Sequence, residues 1–73
     1  MNLNDMINHD ICFEGNIEVR RWDNDYDPTI LFYGDAYNMM DADGFGAFAN
    51  EHIRYMFAYN GSDGIVLCIE LDN

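Results

Sequence analysis

Ile53-Arg54-Tyr55-Met56-Phe57-Ala58-Tyr59, then Asn60-Gly61-Ser62-Asp63-Gly64, then Ile65-Val66-Leu67-Cys68-Ile69-Glu70-Leu71 is the stretch that decides the fold. Ile53, Tyr55, Phe57 and Tyr59 alternate with Arg54, Met56 and Ala58, the period of two that a pleated strand imposes. Asn-Gly followed by Asp-Gly is a strong turn signal, because such residues tolerate the positive φ angles of tight hairpins. The run after the turn is apolar on both parities: Ile65, Leu67 and Ile69 on one, Val66 and Cys68 on the other. A strand with two apolar faces belongs in the middle of a sheet. The stretch therefore predicts a hairpin whose second strand is central.

Working outward, Ile11, Phe13, Ile17 and Val19 share one parity, while Glu14, Glu18 and Arg20 take the other. This predicts a half-buried strand, broken or bulged at Glu14-Gly15-Asn16. Asp23-Asn24-Asp25-Tyr26-Asp27-Pro28 is dense in turn residues, and Thr29–Tyr33 reads as the partner strand, ended by Gly34-Asp35. Between the hairpins, Ala36 to His52 lacks alternation, and Gly44 and Gly46 argue against one continuous helix. Helical turns are expected at Ala36–Met40 and Phe45–Glu51, with Met39, Met40, Phe45 and Phe48 directed inward. Leu3, Met6 and Ile7 have helical spacing, so a short N-terminal turn capped by Asn4 or Asp5 is also expected. These elements predict a single α+β domain over residues 1–73: one four-stranded antiparallel sheet of two hairpins, with a short helical connection packed on one face.

A chain of 73 residues buries only roughly 60% of the surface its unfolded form exposes. Its 49% hydrophobic content and eleven aromatic residues nevertheless exceed what a disordered acidic tail carries. Charge is the unusual feature: fourteen Asp and Glu face Arg20, Arg21 and Arg54, with no lysine, for a net charge of −11. Such a surface repels phosphate backbones and anionic lipid, which argues against direct nucleic-acid or membrane binding and favours a basic protein partner. The plainer reading of the same acidity is solubility. Cys12 and Cys68 each lie in an apolar run, where a free cysteine behaves as a small buried hydrophobe. The N-terminus lacks the basic region and apolar stretch of a signal peptide, and a cytoplasmic location with reduced thiols is the expectation.

Motifs for catalysis and metals fail on inspection. Asp23-Asn24-Asp25-Tyr26-Asp27 has acids at positions one, three and five of a calcium loop, but positions six and twelve hold Pro28 and Gly34 where glycine and glutamate belong. Asp41-Ala42-Asp43-Gly44-Phe45-Gly46 recovers the glycine but places Phe45 at five and His52 at twelve. His9 and His52 do not combine with the cysteines at zinc spacing. The two cysteines sit in apolar surroundings that raise a thiol's pKa, and the glycines match no phosphate-cradling loop. No enzyme activity, cofactor or metal site is expected.

What remains is the placement of acid. Along an extended chain, Asp23, Asp25 and Asp27 share one side at spacings of roughly 6.7 Å, and Asp35, Asp41, Asp43 and Glu51 could add a second cluster from the middle connection. Carboxylates held at fixed separations imitate phosphates toward arginine and lysine. Exposed aromatic residues among them, with Tyr26 the first candidate beside Trp22 and Tyr37, would anchor an interface. Phe13, Phe32, Phe48 and Phe57 read as core.

The order strand, acidic turn, strand, Tyr33-Gly34-Asp35 and a terminal hairpin ending Ile69-Glu70-Leu71 resembles the small accessory proteins of bacteriophages and mobile elements. Size and charge are similar to those of anti-CRISPR proteins, some of which block Cas nucleases by mimicking DNA. Met1-Asn2-Leu3-Asn4-Asp5-Met6-Ile7 also resembles the opening of type II anti-CRISPR inhibitors. This chain lacks the long helical and acidic C-terminal section found there, so no functional residue is carried over. The resemblance implies an inhibitor in a bacterial host cell and leaves its target open; the placement of acid, not the resemblance, nominates Asp23, Asp25, Tyr26, Asp27, Asp35, Asp41 and Asp43 to meet a basic surface, on a Cas nuclease or another nucleic-acid-binding protein. The competing expectation is a structural module that forms a homo-oligomer through an apolar sheet face.

Overall fold

The computed structural model describes residues 1–22 and 26–72. The chain runs α1 (Leu3–Asn8), β1 (Asn16–Arg21), β2 (Thr29–Asp35), a 3₁₀ helix (Ala36–Asp41), α2 (Phe45–Phe48), β3 (His52–Gly61) and β4 (Gly64–Asp72). The α+β class and both hairpins agree with the sequence reading, since β1–β2 and β3–β4 pair antiparallel. The sheet itself is mixed. Its order is β2-β1-β4-β3, and the two hairpins join through a parallel pairing of β1 with β4, Asn16 opposite Val66 and Arg21 opposite Leu71.

This corrects the expectation of a purely antiparallel sheet, and the connection between the hairpins supplies the reason. β2 ends beside the start of β1, whereas β3 begins beside the end of β4, at the opposite end of the sheet. Residues 36–51 must therefore cross the sheet from end to end and from one edge to the other. A crossover of a dozen or more residues is what parallel strand directions require, and here it leaves β2 and β3 running the same way on opposite edges.

The crossover covers one face. Odd-numbered residues of the two central strands, Ile17 and Val19 of β1 with Ile69 and Leu71 of β4, pack against Leu3, Ala36, Met39, Phe48 and Ala49. α1 is too short to be stable alone. It is closed by a capping box between Asn2 and Asp5, not by the expected Asn4 or Asp5, and pinned by Leu3 and Met6. Asn4 N–H donates to the Ala49 carbonyl and Ile53 N–H to that of Met1, which ties the N-terminus to the crossover and to β3.

Several local expectations shift. The strand signal from Ile11 becomes a strand only at Asn16, because Gly15 at φ +83° turns the chain. Its carbonyl accepts from Ala36 N–H at 2.8 Å. Met39 and Phe48 point inward as expected, but Met40 is exposed, since a 3₁₀ turn repeats every three residues and puts neighbours on different sides. Phe57, read as core, lies on edge strand β3 with 40% of its surface open. Cys12 is exposed rather than buried, because its apolar run lies outside any strand, while Cys68 is buried in β4.

Candidate functional site

The opposite face of the sheet, which carries the even-numbered residues of the two central strands, has no helix among the described residues, yet its centre is closed. Register places Glu18 beside Cys68 and Arg20 beside Glu70 on the paired central strands, with Tyr33 of β2 and Tyr55, Phe57 and Tyr59 of β3 flanking them. Glu18 and Glu70 are both buried. A buried carboxylate needs partners to offset lost hydration, and Arg20 supplies them. Its Nη2 lies 2.6 Å from Glu70 Oε2, its Nε donates to that oxygen at 2.9 Å, and its Nη1 lies 3.3 Å from Glu18 Oε2. The guanidinium also sits 5.3 Å from the centre of the Phe57 ring. Burial works against the Arg20 charge, but the hydrogen bond and charge of Glu70, with Glu18 behind it, outweigh that and hold its pKa above the ordinary value.

Two weaker acids complete the cluster. Tyr59 donates its hydroxyl to Glu18 Oε1 at 2.9 Å. Desolvation, then that hydrogen bond, pushes its pKa up from 10.0 to about 12. Desolvation likewise raises the Cys68 thiol from 9.0 to about 11, despite the opposing pull of Arg20. In the unfolded chain both groups ionise earlier than in the folded one. Their contribution to stability is thus intact below pH 9 and lost as pH rises toward 12. Unfolding midpoints should hold steady from pH 7 to 9 and fall between 9 and 12, and Tyr59→Phe should flatten the upper part of that fall. Thiol chemistry should separate the cysteines: a thiol reagent at pH 8 modifies Cys12 in the folded protein and reaches Cys68 only after unfolding.

The second arginine is also spent internally, with Arg21 Nη1 2.7 Å from Glu51 Oε2. Arg54 lies over the ring of Tyr55 at 5.3 Å. Against this, Asp5, Asp10, Glu14, Asp27, Asp35, Asp41, Asp43, Asp63 and Asp72 are all exposed. Among the described residues, Arg20 and Arg21 are drawn into ion pairs at the sheet, Arg54 stays exposed, and nine carboxylates face outward.

The acids singled out from sequence fall at two ends of the molecule. Asp27 precedes β2, and Asp35 ends it, roughly 20 Å away by strand rise. Asp35 caps the 3₁₀ helix by accepting from Tyr37 N–H at 2.9 Å. Asp41 closes that helix and Asp43 follows in the turn before α2, so Asp35, Asp41 and Asp43 belong to one end and its crossover. Tyr26 is 88% exposed, and Trp22 and Tyr37 are exposed too. Asp23 and Asp25 lie outside the described residues. Among the described residues, no three His, Cys, Asp or Glu side chains gather where they could hold a metal ion.

Sequence reasoning missed the Glu18–Arg20–Glu70 cluster. A signal for it was present: Glu70 stands alone in the apolar run Ile65–Leu71, and a carboxylate in a central strand demands a cation on the neighbouring strand. No protein-family model, curated protein or solved structure matches this chain.

Proposed function

We propose that this protein is a stoichiometric inhibitor that binds a basic, nucleic-acid-binding surface of a bacterial defence protein, with a Cas nuclease as the leading target class. The observation that carries the reading is the fate of the arginines. Two of three are held by Glu18, Glu70 and Glu51, and the third stacks on Tyr55, so among the described residues nine exposed carboxylates stand against a single exposed arginine. Exposed carboxylates suit the forked geometry of arginine and the point charge of lysine. Asp27, Asp35, Asp41 and Asp43, with Asp23, Asp25 and Tyr26, are the proposed contact residues. Electrostatic association of this kind should slow roughly tenfold or more between about 0.05 and 0.5 M salt. Asp41→Lys with Asp43→Lys should weaken binding at low salt and leave the fold unchanged. An association rate insensitive to salt and to both reversals contradicts the reading.

A second reading, homo-oligomerisation through a sheet face, is favoured by β3. Tyr55, Met56 and Phe57 are consecutive and exposed on an edge strand, and residues 52–62 hold no Asp or Glu in a chain with fourteen. An open apolar edge that is spared the acidity is where self-repulsion would be least. Light scattering separates the readings. A dimer converted to monomer by Phe57→Lys supports the second, and a monomer throughout excludes it.

A further inference from the structure

At the end of the molecule that carries Asp35, the connection from α1 to β1 and the 3₁₀ helix enclose a cleft of about 510 Å³. Its lining includes Ile7, Phe13, Met39 and Met40, together with two exposed acids, Asp10 and Glu14. Among the described residues, no lysine or arginine lines it. The volume falls within the range of sites that take a bulky apolar group, and methionine adapts its shape to whatever enters. Ile11 and Met40 keep 42% and 58% of their surface exposed, although both carry substantial apolar area.

We propose that this cleft receives apolar side chains from a basic amphipathic segment of the protein partner, with the lysine or arginine residues flanking that segment paired to Asp10 and Glu14. The inference rests on the basic-partner reading above and adds to it a location and an anchor. Charge complementarity selects the occupant. An apolar lining that includes exposed acids rejects anionic amphiphiles and acidic peptides, and a second copy of this chain, at −11, would bring like charge to those acids. Desolvated apolar anchors carry most interface energy, while rim charges set orientation and encounter rate.

The test uses three synthetic probes with equal positive charge: an amphipathic leucine–lysine helix, a sequence-scrambled version, and oligolysine. The amphipathic probe should bind at least tenfold more tightly than oligolysine and should shield Cys12, which lines the cleft, from alkylation. Met40→Glu should abolish that preference, whereas Ile30→Glu, an equal charge change at an exposed position near the opposite end of β2 from Asp35, should preserve it. Equal binding of all three probes, or a preference that survives Met40→Glu with Cys12 still reactive, overturns the cleft assignment and leaves the basic-partner reading standing. Failure of every probe to bind at low salt overturns both. Cys12 shielding is read on the unmodified protein, so the result does not depend on a variant's folding.

Discussion

Replacing Arg20 with alanine is expected to destabilise the protein by about 3–5 kcal/mol, the cost of stranding buried carboxylates without their cation. The total stability of a 73-residue domain is only about 4–11 kcal/mol, so the variant should be close to unfolding at room temperature. The melting temperature should drop by roughly 15–35 °C. The size of the effect comes from geometry. Arg20 serves Glu18 and Glu70 at once, both carboxylates are buried, and the guanidinium also covers Phe57. Two comparisons separate this from a generic loss of packing. Arg54→Ala, which removes an exposed stacking contact, should cost about 1 kcal/mol or less. Combining Arg20→Met with Glu18→Gln and Glu70→Gln should restore much of the loss, since no uncompensated charge remains. Equal melting temperatures for Arg20→Ala and Arg54→Ala would refute the buried-cluster account.

Leu3→Ala should have the next largest effect, about 3–5 kcal/mol, from lost transfer energy and a cavity that cannot collapse. Leu3 is fully buried against both central strands and the crossover. A six-residue helix gains little from its own hydrogen bonds, so losing this anchor should release α1 from the sheet. Asn4 N–H and Ile53 N–H, which bond to Ala49 and Met1, should then lose hydrogen-exchange protection together. Met56→Ala, on the exposed edge strand, should stay within about 1 kcal/mol of the parent. Denaturant titration with exchange readout checks both variants.

What the sequence made legible was local. Hairpin 53–71 declared itself through alternation and an Asn-Gly…Asp-Gly turn, and the central place of β4 followed from its two apolar parities. Met39 and Phe48 were readable as core because residues at the two helical turns must face something apolar. The parallel union of β1 with β4 was not readable, because it depends on where residues 36–51 deliver the chain, and no local pattern encodes an end-to-end crossover. The buried acids were missed for a related reason. Alternation assigns Glu18 to the face opposite the core, and that face is solvent only if nothing covers it. Here Arg20, Tyr33 and Tyr59 do, and their convergence comes from pairing across all four strands. Phe57 went the other way: its apolar character suggested core, but edge position left it open.

For the candidate surface, sequence supplied the residue types, and the fold supplied their separation. Among the described residues, the proposed contact acids do not form a single row. Asp27 stands at one end of β2, and Asp35, Asp41 and Asp43 stand at the other and along the crossover. A partner that engages both groups must present basic residues across a span comparable to the length of β2, about 20 Å. Grooves that hold a nucleic-acid backbone offer such spans.

Competition with DNA tests the central claim most directly. A guide-loaded Cas nuclease carrying fluorescent target duplex should release the duplex as this protein is added, near one equivalent at low salt, and raising the salt should reverse the displacement by weakening the acidic competitor. A stable ternary complex in which protein and duplex stay bound together, or a displacement indifferent to the reversal of Asp41 and Asp43, would contradict it.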